Sequence, residues 1–547
     1  MRLLSVLMLA ALAFLPAVRS EESKSPELPR VLLDTTYKAP AGKTVMVRSG
    51  DDLQAAINRA APGDVIRLQA GAVFKGNFTL PKKSGSGWIV IRSSAPDSDL
   101  PPPGSRMTPQ YAAALPKIVT PNSGAALEAA SGAHHYRLIG LEFAVAAGVR
   151  QTYSLITLGD KERSLDQHPR DLILDRLYIH GNPEVNLRRG VTLNSASTAI
   201  IDSWISDCHE QGADSQAIGG WNGAGPFKIV NNYLEGAGEN FMLGGADPTI
   251  PDLVPSDIEF RRNHCFKPLT WKVGDPSYAG RAWTVKNLFE LKNARRVLVD
   301  GNLFENNWTM AQNGFAILFT VRNQDGQAPW SAVEDVTFTN NIVRHSPNGI
   351  NMHGSDDNQP SRPLSRVLIR NNLFDDMGAF SGGTRLFQIG GSAHLAPAED
   401  VTIDHNTAIH HDKAVHIGNA LAVGDSGKAV KRLRFTNNLI SRTPYGVKGS
   451  GTDEGRAALD TFVDGYVFSR NVIIDNGSYS NGRVRSSLYP QGNQFPGGAL
   501  EVGFTDYKGG NGGNYRLTAK SRYAKAGTDG RDIGCDFDEL EAAGSKP

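Results

Sequence analysis

The chain has 547 residues, with 57 Lys+Arg against 56 Asp+Glu and a formal charge of +1. That is ample length for a large core, and so even a balance excludes recognition by global charge, as of nucleic acid or an anionic membrane. Any electrostatic argument has to be local.

Residues 1–20 place Arg2 before an apolar run from Leu3 to Leu15 and end in small residues at Val18 and Ser20. This is the layout of a cleavable signal peptide. The run is too short to span a bilayer, and no later stretch reaches the roughly 20 apolar residues required. The expectation is an exported protein, secreted or periplasmic, without a transmembrane segment and monomeric. Residues 21–44 read as a flexible lead.

The segment DDLQAAINRAAPGDVIRLQAG then gives a short amphipathic helix. Asp51 or Asp52 caps it, Leu53, Ala56 and Ile57 form its apolar side, and Pro-Gly stops it before a strand. Such a helix can close the end of a solenoid, which would otherwise expose edges and core.

From there one phrase recurs: apolar, any, apolar, two residues, Asn, any, apolar. It appears as FKIVNNYL at Asn232, IEFRRNHC at Asn263, VLVDGNLF at Asn302, VTFTNNIV at Asn341, VLIRNNLF at Asn372, VTIDHNTA at Asn406, LRFTNNLI at Asn438 and YVFSRNVI at Asn471. The intervals of 31, 39, 39, 31, 34, 32 and 33 residues are those of a repeat architecture with variable insertions. Two earlier phrases, LILDRLYI and AIIDSWIS, place Arg176 and Ser203 at the Asn position. The period of two marks short strands with one buried face. The Asn sits where the strand turns; it tolerates left-handed backbone angles, and its amide can satisfy buried polar groups from coil to coil.

A second set of strands, often opened by Gly, follows most phrases: GVTLNS, NFMLGGAD, NLFELKNA, FAILFTVRN, GINMHGSD, RLFQIGGS and AVHIGNA. Leucine-rich repeats share the L-x-L-x-x-N-x-L core, but these repeats are too long and irregular and lack a helical return path. After residue 480 the repeat is abandoned for NYRLTAKSRYAKAGTDGRDIGCDFDELE, which reads as a closing cap. The division is therefore 1–20 signal peptide, 21–44 lead, 45–480 coil with an insertion at 264–286, and 481–547 terminal end and cap. The three cysteines, Cys208, Cys265 and Cys535, lack CxxC spacing and read as buried thiols.

On the DDLQAAI…GDVIRL opening, the Asn phrases and the GTDGRDIG ending, residues 45 to 540 resemble the pectate-lyase-like superfamily of secreted right-handed parallel β-helix proteins. The resemblance implies an all-β solenoid with a short N-terminal capping helix and a substrate groove along one parallel sheet. Its members include lyases, hydrolases, esterases and binding or adhesion proteins, so it is specific for fold and not for reaction.

Alternation along the Gly-led strands turns Val191, Leu193, Phe241, Leu243, Phe289, Leu291, Ile350, Met352, Phe387, Ile389, Val415 and Ile417 inward. Thr192, Asn194, Glu290, Lys292, Asn351, His353, Gln388 and His416 then share the outer face, with Asn194, Asn351 and Gln388 as candidate substrate-binding groups. Exposed strand faces are polar in any solenoid, but imidazoles beside a lysine and a carboxylate suit acid–base work on a sugar chain.

Five of the seven tryptophans, Trp221, Trp271, Trp283, Trp308 and Trp330, lie between the third and fifth coils. Trp271, Trp283 and Trp308 are candidate sugar-stacking groups, and the lysines near them (Lys267, Lys272, Lys286, Lys292), with Arg322, favour an acidic polymer. β-Elimination next to a uronate carboxyl group needs the carboxylate neutralised and a base at C5. Lys292 is the leading base and His353 the second. Arg322 or Ca²⁺ would hold the carboxylate, and His416 would protonate the leaving oxygen. Similarity to uronate lyases implies a Lys or Arg base.

A glycosidase would instead pair Glu290 with Asp356 or Asp357, and a noncatalytic carbohydrate-binding or cell-surface protein would need mainly exposed aromatics. Asp214, Glu239, Asp356 and Asp357 are candidate oxygen ligands for calcium, without a fixed-spacing loop.

Overall fold

The computed structural model describes residues 23–544, apart from 381–384, 392–394, 413–417 and 476–481. The recurring phrase forms one side of a coil of three parallel sheets. A first sheet of 14 strands carries the Asn phrases, a second of 13 strands follows each Asn, and a third of 12 strands holds the Gly-led segments. Every neighbouring pair within these sheets is parallel, and the coil is a right-handed β-helix.

Each coil hands its inward side chains to the next. Phe241 stacks on Phe289 at 5.3 Å, Phe304 on Phe338 at 5.8 Å and Phe435 on Phe468 at 5.1 Å. The N-terminal end is closed by α1 (Leu53–Arg59), capped by Asp52 and burying Leu53, Ala56 and Ile57. Cys208, Cys265 and Cys535 are free buried thiols. No helix among the described residues is long and apolar enough to cross a membrane.

The asparagines form an unbroken internal ladder. From Asn232 to Asn471, each backbone N–H and each amide donates to the Oδ1 of the next Asn. Asn493, outside the phrases, extends the ladder by one rung. The left-handed residue is the one before the ladder position, as at Asn231, Arg262, Asn340, Asn371, His405, Asn437 and Arg470. The turn and the ladder are therefore separate duties of adjacent residues. Strand register also moves one assignment: Ser203 is in the ladder column, receiving Asn232's place in its own coil, but Arg176 belongs to the left-handed column and Leu177 occupies the ladder position.

The described residues at either end lie along the flanks. The segment expected as a flexible lead runs across the first sheet. There the backbone N–H groups of Lys24, Glu27 and Arg30 donate to Asp400, Asp335 and Asp257. The same carboxylates are gripped by Arg432, Arg366 and Arg296. At the other end, Val502, Tyr515, Tyr523, Ile533, Phe537 and Leu540 pack on Ile342, Leu373, Ile409, Leu439 and Val472 of the second sheet. The C-terminal region thus covers a long apolar flank.

Candidate active site

Seven strands of the third sheet matter here: β1 (Arg189–Leu193), β2 (Gln216–Gly220), β3 (Glu239–Leu243), β4 (Asn287–Leu291), β5 (Phe315–Thr320), β6 (Asn348–His353) and β7 (Phe387–Gly390). The expected inward residues from Val191 to Ile389 are all fully buried in the core. Pairing aligns Glu290 with Leu318, Asn351 and Gln388, and aligns Lys292, just past β4, with Thr320 and His353.

Lys292 lies against Glu290, Nζ to Oε1 3.5 Å. Glu290 is itself fixed by Asn287, whose amide donates at 3.0 Å, and by the Thr320 hydroxyl at 3.3 Å. Burial disfavours the Lys292 ammonium, but Glu290, with Glu239 and Asp214, outweighs burial and moves its pKa upward. The backbone N–H of Arg322 donates to the Lys292 carbonyl, so the two cations emerge on successive coils.

Arg322 pairs through Nη1 with Asp356 at 3.2 Å and with Asp357. His353 is half-buried. Burial lowers its pKa and the Arg322 charge adds to that, opposed by Asp357 and Asp425, so it is a neutral imidazole at neutral pH. One coil further, the Gln388 amide donates to Asn351 at 2.9 Å and Arg385 donates to Gln388 at 2.8 Å. Lys292, Arg322, His353, Asn351 and Gln388 thus share one partly open face, with Glu290 beneath it. His416, Val415 and Ile417 lie outside the described residues.

A row of polar residues missed by alternation lies at the foot of this face: Arg189, Gln216, Glu239 and Asn287, paired laterally strand to strand. The Gln216 amide donates to Glu239 at 2.7 Å. Burial, then Asp214 and Glu290, push the Glu239 pKa upward. Each of the four carries a buried polar atom without a hydrogen-bond partner: Arg189 Nε, Gln216 Oε1, Glu239 Oε1 and Asn287 Oδ1. Four buried polar atoms without a hydrogen-bond partner thus fall together on adjacent coils, which makes this row a candidate part of the site.

Behind this row Lys267 is wholly buried, its Nζ donating to the carbonyls of Gly236, Ala237 at 2.9 Å and Gly238 at 3.3 Å. It sets the corner that delivers Glu239, and burial lowers its pKa. Lys267→Met is expected to lower stability by about 2 kcal/mol through the orphaned carbonyls, measured by denaturant melts.

Several expected site residues have other duties. Trp271, Trp283 and Trp308 are 5%, 2% and 5% exposed and form a satellite core with Ala237 and Val285. Trp283 stacks on buried His209 at 3.8 Å, and Trp271 meets the same ring edge-on at 5.3 Å. They cannot stack on a sugar; the 264–286 insertion spends its aromatics covering the corner between the second and third sheets. Asn194 is wholly buried, its Oδ1 accepting from the backbone N–H groups of Trp221 and Asn222, and so lies beneath the open face.

The candidate calcium ligands fall into two separated pairs. Asp214 and Glu239 face Lys286, while Asp356 and Asp357 face Arg322 three coils away, about 14 Å at normal strand spacing. Among the described residues no three His, Cys, Asp or Glu side chains converge to hold a metal. These donors do not fit calcium. Asp356 also accepts from the backbone N–H groups of Asn323, Asn358 and Gln359, which makes it a loop clamp and not a free glycosidase carboxylate.

No protein-family model and no curated protein matches the sequence. Solved structures that resemble the chain include the PL6 family alginate lyase AlyGC, at 12% identity and TM-score 0.44 over 91% of this chain and 58% of that one. Others are alginate lyase AlyF-OU02 in complex with G6, at 12% identity and TM-score 0.45 over 94% and 96%, and a Family 28 exopolygalacturonase of Yersinia enterocolitica, at 13% and 0.36 over 81% and 79%. The chain thus spans little more than half the length of AlyGC. Identities this low transfer no residue role.

Proposed function

We propose that the protein is an exported, monomeric enzyme that cleaves an acidic polysaccharide by β-elimination on the outer face of the third sheet. The observation that carries this reading is the convergence of two fixed cations, Lys292 and Arg322, with the neutral imidazole of His353 on adjacent coils of one face.

The chemistry divides accordingly. A uronate carboxylate placed against Lys292 and Arg322 has its negative charge offset, which makes the C5 hydrogen acidic. Lys292 is held as an ammonium by Glu290 and suits charge neutralisation better than proton abstraction. The role of base passes to His353, whose imidazole accepts the C5 proton. The C5–H electrons form the C4–C5 double bond as the C4–O bond breaks. His416 is assigned the proton given to the leaving oxygen. Asn351 and Gln388, on the next two coils, would bind hydroxyls.

Incubation with pectate, alginate, chondroitin and rhamnogalacturonan tests the reading by the ultraviolet absorbance of new C4–C5 double bonds. At least one polymer is expected to yield it, without added calcium and in the presence of a chelator. Reducing ends without that absorbance would replace the lyase with a hydrolase, and binding without cleavage would leave a carbohydrate-binding module.

A further inference from the structure

We propose that Arg189 and Trp221 form a second carbohydrate-recognition point, a subsite for one acidic sugar unit, two to three coils from Lys292 on the same face. The proposal rests on the acidic-polysaccharide reading above and deepens it.

The two residues meet across two adjacent coils of the sheet. Arg189 is the outward residue of β1, and Trp221 follows β2. The guanidinium carbon lies 5.1 Å from the centre of the half-buried Trp221 ring. Arg189 contrasts with its neighbour. Arg188 is closed on Glu210 by two hydrogen bonds of 2.8 Å. Arg189 has a buried Nε with no hydrogen-bond partner, and Glu239, Asp214 and Glu210 act on it only at longer range. Arg189 is half-buried with one donor left open, and a carboxylate suits the guanidinium's fork geometry. Burial lowers its pKa to about 10, so it remains a cation at neutral pH.

The lane between this point and Lys292 is kept low by glycine. Strand register places Trp221, Gly244 and Lys292 in one row, with Gly219 beside it. A Cβ at Gly244 would sit 2.7 Å from the Lys292 Cβ and 2.9 Å from the Asn293 nitrogen, so no side chain can rise there. Two strand spacings separate Trp221 from Lys292, about 10 Å. An extended chain held at Lys292 would cross the glycine floor and reach the indole with a later unit, its carboxylate toward Arg189.

The test uses calorimetric binding of galacturonate and alginate hexamers, and of the same hexamers with carboxyl groups reduced to alcohols. All proteins carry His353→Ala to prevent turnover. Trp221→Ala is expected to weaken binding of an acidic hexamer about tenfold, as is Arg189→Gln. On the carboxyl-reduced hexamer only the Trp221 change should still matter. Trp221→Phe should retain most of the affinity, which separates loss of stacking from loss of folding. Unchanged affinity for an acidic hexamer in both Trp221→Ala and Arg189→Gln would overturn the subsite and leave the enzyme reading intact. If the parent binds neither of these hexamers nor oligomers of chondroitin and rhamnogalacturonan, the acidic-polymer reading fails first and this proposal with it.

Discussion

Replacing Asn341 by alanine is expected to lower folding stability by about 3–5 kcal/mol, which makes it the most damaging single change proposed for the coil. Its Oδ1 accepts both the backbone N–H and the amide of Asn302, each at 2.9 Å, and its own amide donates to the Val299 carbonyl and to Asn372 Oδ1, each at 3.0 Å. Truncation leaves the buried Asn302 N–H without its Oδ1 acceptor and takes one donor from the Val299 carbonyl. Each such loss costs about 1–3 kcal/mol. The Asn302 amide keeps the Phe260 carbonyl at 3.0 Å, which limits the damage.

Asn341→Ser should be milder. Ser203 already fills this column two coils before Asn263, its hydroxyl accepting the Leu177 N–H at 3.0 Å while donating to the Ile201 carbonyl at 2.9 Å. Denaturant melts followed by circular dichroism would measure both variants. An alanine variant as stable as the parent would mean that water enters the ladder and that its hydrogen bonds are not isolated from solvent.

The ladder also explains why so much of the coil is legible in the sequence. Two independent constraints act on each phrase, apolar alternation and a fixed amide, and a chance segment rarely meets both. Where the amide is replaced, the register slips: in LILDRLYI the polar Arg176 attracts the ladder assignment, whereas pairing gives that column to Leu177. Side-chain chemistry alone cannot distinguish the left-handed position from the ladder position beside it, because Asn serves at both, as Asn340 and Asn341 demonstrate.

The candidate site was half legible for a related reason. Alternation correctly turns Glu290, Lys292, Asn351, His353 and Gln388 outward, because those residues lie on the straight part of each strand. It fails at the corner entering the third sheet, where consecutive residues both point inward: Ala217 with Ile218, Leu288 with Phe289, Ala316 with Ile317 and Leu386 with Phe387. The parity flip puts Arg189, Gln216, Glu239 and Asn287 outside, two positions before an inward residue. The pairs of adjacent apolar residues were the available signal. Tryptophan misleads in the opposite direction, since an insertion crossing a solenoid corner must bury something large to stay in place, and Trp271, Trp283 and Trp308 do so.

The choice of base makes the sharpest functional prediction. If His353 removes the C5 proton, His353→Ala should reduce turnover by about 10²–10⁴-fold, the usual worth of a positioned general base. The pH profile should identify the group. Burial places the His353 pKa below the ordinary imidazole value, so the neutral, proton-accepting form persists below pH 6.5. Activity should hold as pH falls past that value, then decline as the ring becomes protonated at its lowered pKa.

Lys292→Met should also be severe, because it removes the charge that offsets the uronate carboxylate, yet its acid limb should remain near that of the parent. A lysine base would behave differently. With its pKa raised by Glu290 it would be protonated throughout the neutral range, and activity would climb steadily toward alkaline pH. A parent profile with that alkaline climb, together with a His353→Ala variant of unchanged turnover, would return the base to Lys292. Loss of the acid limb in His353→Ala alone would keep it on the imidazole.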